Sequence, residues 1–458
     1  MNDYFISLII WALIVYGSLI ILCACSNIHV RMRNYSKGRP IAIDLFSGAG
    51  GFSLGFEASG FDIALALDID PIHCATHAFN FPYSEIICND SSKVTKEMIE
   101  EKISHYSTNE VDVIIGGPPC QGFSNIGYRI FEDPRNKLIL DYYKIIKDIK
   151  PKYFVFENVP GIITGKHKEF INKFIERFVE IGYNILNLQL LNAVNYGVAQ
   201  NRKRFILMGW RKDCNPITYP ISTHNAYRKN EHQQLPLAYK NKVIGVKEAI
   251  MDFEKIPTYI GKDLGISPMQ MDYSDYRTNF SFNGNGAFSL CHRRNLKNKL
   301  IFGHIGSKHK DESIKRFLKT EPGKCEQISR LYKLHPEKPC HTLRAGTSRN
   351  RGSFTAPRPI HYEHPRCISI REGARLHSYP DWFQFHRTIW HGFRQIGNSV
   401  APIFAKALGD KIIEAMGVDI TSEMIKKLPE SDQKLLSFSM NEACNYFEIP
   451  YDTVARAY

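Results

Sequence analysis

The sequence predicts an α/β fold with a parallel or mixed sheet covered by helices on both faces. Three observations lead there. Short apolar, β-rich runs alternate with stretches long enough for helices. Several runs carry almost no polar residue, as strands buried on both faces do. Acidic residues and glycine-rich turns stand just past the ends of these runs, where sheets of this kind bind ligands.

The first run is IAIDL (41–45), with Asp44 near its end; a glycine-rich turn follows and a helix is expected from about Phe52. IALAL (63–67) is a second strand, ended by Asp68, and EIICN (85–89) a third, ending before Asp90. VDVIIGG (111–117) and YFVFEN (153–158) are the fourth and fifth; YNILNLQLL (183–191) and RFILMGW (204–210) complete the set. Residues 136–150 and 167–181 are expected to be helices. Past Arg211 the rhythm stops. Residues 215–360 are rich in Asn, Lys, Gly, Pro and His and suggest a second, irregular domain; dense patterning returns in REGARLHSYPDWF (371–383) and QIGNSVAPIFAKALGDKIIEAM (395–416).

The chain has 458 residues, room for two to four domains at about 100–200 residues each. With 43% apolar and 23% charged residues it is not wholly disordered, collagenous or multi-spanning. The formal net charge is +13, and residues 291–360 supply most of it, with 17 Lys and Arg against 5 Asp and Glu. A charge concentrated in one window points to a polyanion-binding surface. The 11 cysteines include no CxxC pair, which argues against a disulfide scaffold or a structural zinc site and for reduced thiols in the cytoplasm.

Residues 4–25 form a run of 22 without a charge, long enough to cross a membrane as a helix, followed by Arg31, Arg33, Lys37 and Arg39. Alternatively, Met32 is the true start and residues 1–31 are an over-extended reading of the gene. Both readings leave the remaining chain in the cytoplasm.

Four constellations carry chemistry. In DLFSGAGG (44–51) glycines let the backbone approach a ligand beside a helix N-terminus; Ser53 stands where a dinucleotide fingerprint would have its third glycine, and tight turn packing is an equal reading of the glycines alone. Asp68, at the end of the next strand, is placed to bind ribose hydroxyls. In GGPPCQGFS (116–124) two prolines stiffen the approach to Cys120, a thiol at a strand's carboxyl end placed as a nucleophile; a buried, inert cysteine is the alternative, though a core position would not need the flanking Pro-Pro and Gln-Gly. Glu157, followed by Asn158 and Val159, is a strand-end carboxyl able to donate a proton or to cap a turn. QNRKR (200–204) offers arginine donors to a base carbonyl or a phosphate, or is a solvated charge run.

In this order DLFSGAGGFSLGF, GGPPCQGFS, ENV, QNRKR, REGARLHSYPD and QIGNSV resemble the motifs of the DNA (cytosine-5)-methyltransferases, the bacterial modification enzymes, over about residues 41–416. The resemblance implies a Rossmann-like S-adenosylmethionine-binding domain with a mixed sheet, over roughly 40–210 completed by 385–416, and a small target-recognition domain over about 211–370. It places Phe46, Gly48, Gly50 and Pro118 against the cofactor, Asp68 on its ribose, Ile69 on its adenine, Asp90 near the adenine amino group, and Asn398 closing the pocket. Many members have Glu where this chain has Asp68, which shortens the reach. The resemblance makes Cys120 the nucleophile that adds to cytosine C6. It puts Glu157 at N3 and Arg202 at the O2 carbonyl, with Arg204 at the base or the cysteine loop and Asn158 bracing that loop. No metal is expected.

The implied partner is double-stranded DNA, with the target cytosine rotated out of the helix; a cognate restriction endonuclease would act beside the enzyme without a stable complex, and a monomer is expected. A tRNA cytosine-5 methyltransferase of the same fold is the near alternative, and an inactive sequence-specific DNA-binding protein the alternative from another class. The tail, 417–458, lies beyond the motifs and is expected to pack on the large domain.

Overall fold

The computed structural model describes residues 39–106, 110–119, 137–163, 167–225, 241–267, 300–346, 358–419, 431–451 and 453. The uncharged run 4–25 and Cys120 lie outside these residues; among the described ones, no helix is long and apolar enough to cross a membrane.

The chain opens with β1 (Ile41–Leu45), α1 (Gly51–Ser59), β2 (Asp62–Asp68), α2 (Pro71–Asn80), β3 (Glu85–Cys88), α3 (Lys96–Ile103), β4 (Val113–Gly116), α4 (Lys137–Ile149) and β5 (Tyr153–Asn158). There follow α5 (His167–Glu180), β6 (Tyr183–Ile185), β7 (Gln189–Asn192), β8 (Gln200–Asn201) and β9 (Lys203–Arg211). The main sheet runs β3-β2-β1-β4-β5-β9-β6, with β7 also paired to β9. The strands β1 to β5 are parallel, and β9 is antiparallel to β5, β6 and β7. Each residue of β1, β4 and β5 is buried, which is why they read as largely apolar runs, with polar residues only near the carboxyl ends of β1 and β5.

Strand order reverses between β1 and β4. Right-handed crossovers then put the helices of the two halves on opposite faces and open a crevice at the carboxyl ends of the central strands. Local signals set the helix ends. Asp70 caps α2 by accepting from the amides of Ile72 and His73, and Pro71 occupies the first turn. On α4, Ile139, Tyr142, Ile145 and Ile146 form the buried stripe. The Tyr142 hydroxyl donates to Val155 O at 3.0 Å, tying α4 to the sheet.

The run 183–191, expected as one strand, is two. Between β6 and β7 residues 186–188 lie opposite only Leu207 and Met208 of β9, a one-residue bulge that shifts the pairing register. Sequence pattern does not show it, because no glycine or proline interrupts 183–191.

Past Arg211 the described elements are short up to residue 341: β10 (His224–Asn225), β11 (Asn241–Lys242), α6 (Val246–Ile250), α7 (Asp311–Lys319) and β12 (Cys340–His341); α8 (Ile370–Leu376), α9 (Ile389–Asn398), α10 (Pro402–Met416) and α11 (Met440–Tyr446) follow. The charged residues of REGARLHSYPD have a structural job. Arg375 is fully buried, 2.9 Å from Asp252 and 2.6 Å from Asp381. Glu372 is buried against Arg366 at 2.8 Å, and Arg371 donates to the carbonyls of Phe302, Pro380 and Phe383. These bonds fasten the irregular segment to α8.

After α9 the chain returns to the sheet, and α10 packs along α1, where Ser59 Oγ donates to Lys406 O at 3.0 Å. In the tail, Leu435 and Leu436 bury against Ala75, Ala78 and Phe79 of α2, and α11 packs on the same helix.

Candidate active site

The glycine loop leaves β1 through two left-handed residues, Phe46 at φ 60° and Gly48 at φ 55°. Phe46 is not glycine, so this conformation is strained and the surrounding structure must impose it. Gly48 N donates to Asp68 Oδ2 at 2.8 Å, and Ser47 N to Leu67 O at 3.0 Å, so the loop is held on the end of β2. Gly50, at φ 96°, caps α1; a side chain there would lie 2.3 Å from the ring of Phe81.

Ser53 explains why the dinucleotide fingerprint fails. Its amide and its hydroxyl both donate to Asp44 Oδ2, at 3.0 and 2.6 Å, and its hydroxyl lies 2.9 Å from His77 Nε2. Burial pushes the Asp44 carboxyl up to about 7, against the two Ser53 bonds and with some help from the charge of Asp68. Burial likewise pushes His77 down to about 3, so its ring is neutral. This triad lies under the loop and was not foreseen as a unit. The serine in place of glycine was its only visible sign.

At the end of β2, Asp68 Oδ1 accepts from Asp70 N at 2.8 Å, so each of its oxygens holds one backbone amide and keeps a lone pair. Beside it Ile69 is 39% exposed. A carboxylate with spare acceptor sites next to an exposed aliphatic surface suits a ribose diol and a purine ring. Asp70 pairs with Arg394 of α9 at 2.7 Å. Burial opposes the charge of Asp70, but His73 and Arg394 outweigh it and hold the carboxyl down at about 2. At the end of β3, Asp90 accepts from the amide and hydroxyl of Ser92, at 2.9 and 2.8 Å; partial burial works against its charge, yet these bonds win and its pKa is lowered.

The remaining groups stand at the ends of β4 and β5. Pro118 is buried, and its carbonyl accepts from Asn158 Nδ2 at 3.0 Å, so Asn158 braces the segment that leads to Cys120. A side chain on Gly117 would lie 2.9 Å from Glu157 Oε2. Glu157 Oε1 is 2.6 Å from Arg204 Nε, and both side chains are about one-tenth exposed. Glu157 faces Ile206 across the β5–β9 ladder, so Arg204 is its diagonal neighbour on the same face.

Arg202 is elsewhere. Expected at the base carbonyl, it is only 2% exposed, and its guanidinium donates to backbone carbonyls: Leu343 O at 3.1 Å, Gly397 O at 2.9 Å and Ser399 O at 2.9 Å. Of the two arginines in QNRKR, Arg204 is the one that stands with Glu157. Asn398 is exposed at the end of α9, and the residues after it press on the start of α1, next to the glycine loop: a side chain on Gly51 would lie 2.4 Å from Val400 O.

Glycine loop, strand-end acids, Pro-Pro approach and Glu157 thus share one edge of the sheet, and residues 41–414 match the C-5 cytosine-specific DNA methylase family. The chain belongs to that family. Accordingly it is a DNA cytosine-5 methyltransferase. Among its relatives, the Type II methyltransferase M.XorII of Xanthomonas oryzae pv. oryzae is 42% identical over 91% of this chain and 95% of its own. The Type II methyltransferase M1.HphI of Haemophilus parahaemolyticus is 31% identical over 81% of this chain and 86% of its own. Among solved structures, an Escherichia coli prophage protein taken to be a DNA modification methyltransferase superposes with a TM-score of 0.65 at 31% identity, over 83% of this chain and all of its own. This C-5 methylase therefore shares its fold with that structure and its family with the match over residues 41–414.

Proposed function

We propose that this methylase transfers a methyl group from S-adenosylmethionine to C5 of a cytosine rotated out of a specific duplex DNA sequence, through a transient bond between Cys120 and C6. The observation that carries this reading is the Glu157–Arg204 pair beside the end of β4, one step before the Pro-Pro-Cys segment. Phe46, Gly48, Gly50, Asp68, Ile69, Asp90, Pro118 and Asn398 would hold the cofactor, which when bound supplies an electrophilic methyl group on a positively charged sulfur.

Each protein group then has a physical task. C5 of cytosine is a poor nucleophile. Addition of the Cys120 thiolate to C6 moves electron density onto C5 and toward N3. Glu157 hydrogen-bonds or protonates N3, where that charge gathers. Arg204 both orients Glu157 and offers donors to the base at O2. C5 takes the methyl group, a base removes the C5 proton, and the C6–S bond breaks to release Cys120 as thiolate. Because C6 is stacked inside the duplex, the nucleotide must leave the helix, at a cost of roughly a few kcal/mol in lost stacking. The basic window 291–360 would offset that cost by gripping phosphates, which sets register without reading sequence. We infer an organisation in which 40–210 and 385–416 form the catalytic unit and 211–370 the recognition unit. The inferred cellular setting is modification beside a cognate restriction endonuclease.

Bisulfite sequencing of DNA from a host free of cytosine methylation, expressing either the wild type or Cys120→Ala, tests this. Protected cytosines in one recurring sequence context are expected for the wild type alone. Full protection by Cys120→Ala would overturn the mechanism, and methyl transfer confined to tRNA would overturn the substrate.

A further inference from the structure

The turn that carries Asn398 is clamped from three sides. Arg202 Nη2 donates to the carbonyls on either side of it, Gly397 O and Ser399 O, both at 2.9 Å. The third clamp is steric. A side chain on Gly397 would lie 2.4 Å from both Arg344 C and Ala345 N, so the backbone of 344–345 presses directly on the turn. On the far side, Ser399 and Val400 lie against Gly51, the first residue of α1 after the cofactor loop. The same guanidinium reaches Leu343 O through Nη1, and Leu343 N donates to Gln200 Oε1 at 3.1 Å. Gln200 in turn meets His377 Nδ1 at 3.0 Å, and His377 Nε2 stands 3.0 Å from Ser399 O. Since Nε2 faces a carbonyl it must carry the proton, which leaves Nδ1 to accept from Gln200.

We propose that Arg202 is a positioning residue for the cofactor: by holding the carbonyls that flank Asn398, it sets where that side chain stands over the glycine loop, and it makes the turn move together with 343–345. The proposal rests on the cofactor reading given above. Arginine suits the task because its planar fork can bind several carbonyls in fixed directions, which the single ammonium of lysine cannot do.

The test is the dissociation constant of S-adenosylhomocysteine for the purified full chain, by titration calorimetry without DNA. The variants are Arg202→Lys, Asn398→Ala and the double variant. Each single change is expected to weaken binding about tenfold, the range for loss of a charge-assisted hydrogen bond. If Arg202 acts through Asn398, the double variant binds no more weakly than Asn398→Ala alone. Arg371→Lys is the control, since Arg371 is as buried and also donates to three carbonyls, none of them in this turn; it is expected to lower the unfolding midpoint and leave cofactor binding unchanged.

Losses that multiply in the double variant, or unchanged binding by Arg202→Lys, overturn the proposal. Hydrogen exchange of the wild type gives a second reading that does not depend on a variant folding. S-adenosylhomocysteine is expected to slow the amides of 343–345 together with those of 397–400, and protection of 397–400 alone overturns the clamp. Failure of the wild type to bind S-adenosylhomocysteine at all would instead overturn the cofactor reading.

Discussion

Arg204 Nε sits 2.6 Å from Glu157 Oε1, joining two strands that run in opposite directions at the end of the sheet. The pair fixes the direction of one carboxylate oxygen and leaves the other facing Gly117. Glu157→Gln keeps the shape and removes the charge and the acid. Its single-turnover methyl transfer is expected to fall at least about a hundredfold, the usual scale for loss of a general acid. Filter binding of duplex DNA should change only a few-fold. Transfer at the wild-type rate would exclude Glu157 from the chemistry.

Gly117→Ala tests the same oxygen from the other side. The new methyl would lie 2.9 Å from Glu157 Oε2, the far end of a side chain that can yield. The protein should fold with an unchanged melting temperature. Its turnover should drop about ten- to a hundredfold, because small misplacements of a reacting group cost that much. A large fall in melting temperature with turnover intact would mean that the contact matters for packing only.

Asp44 makes a pH prediction. Its carboxyl titrates at about 7 in the folded protein and 3.8 as the reference value. Between those values the folded state holds the proton more tightly than the unfolded chain, so its contribution to stability falls as pH rises from 4 to 7 and is constant above that. At about 1.4 kcal/mol per unit the full effect is roughly 4 kcal/mol. Asp44→Asn cannot ionise. Urea unfolding from pH 4 to 8 should show the wild type losing stability relative to this variant as pH rises, and parallel curves would contradict the assignment.

Arg375→Leu should be severe. It leaves Asp252 and Asp381 in the interior without their cation. Removal of one partner from a buried ion pair costs about 3–5 kcal/mol. Denaturant titration of the purified variant measures this directly, and a loss under about 1 kcal/mol would show that the carboxylates find other partners.

Much of the site was legible because parallel strands bring their carboxyl ends to one edge. Any motif just past an apolar run, such as Gly48, Asp68, Asp90 or Pro118, is delivered to the same crevice. The strands β1 and β5 have the bounds that their apolar runs suggest. The Asp44–Ser53–His77 triad was less legible, since His77 stands on the next helix with an ordinary local pattern. The burial of the charges in REGARLHSYPD was not legible either: Arg375 meets Asp381 six residues on, but also Ala249 O and Asp252, more than a hundred residues away.

The order of strands and helices, the glycine loop and the candidate nucleophile follow from the sequence alone, since apolar period, glycine and proline act within a few residues. Which arginine of QNRKR meets Glu157 and which binds backbone carbonyls did not follow. Arg202 and Arg204 are chemically identical and two positions apart. What separates them is that one meets carbonyls 141, 195 and 197 residues distant while the other meets a carboxylate across a strand pair. Electrostatic and hydrogen-bond partners at such separations exist only once the chain has closed on itself, so only the tertiary structure could make that choice.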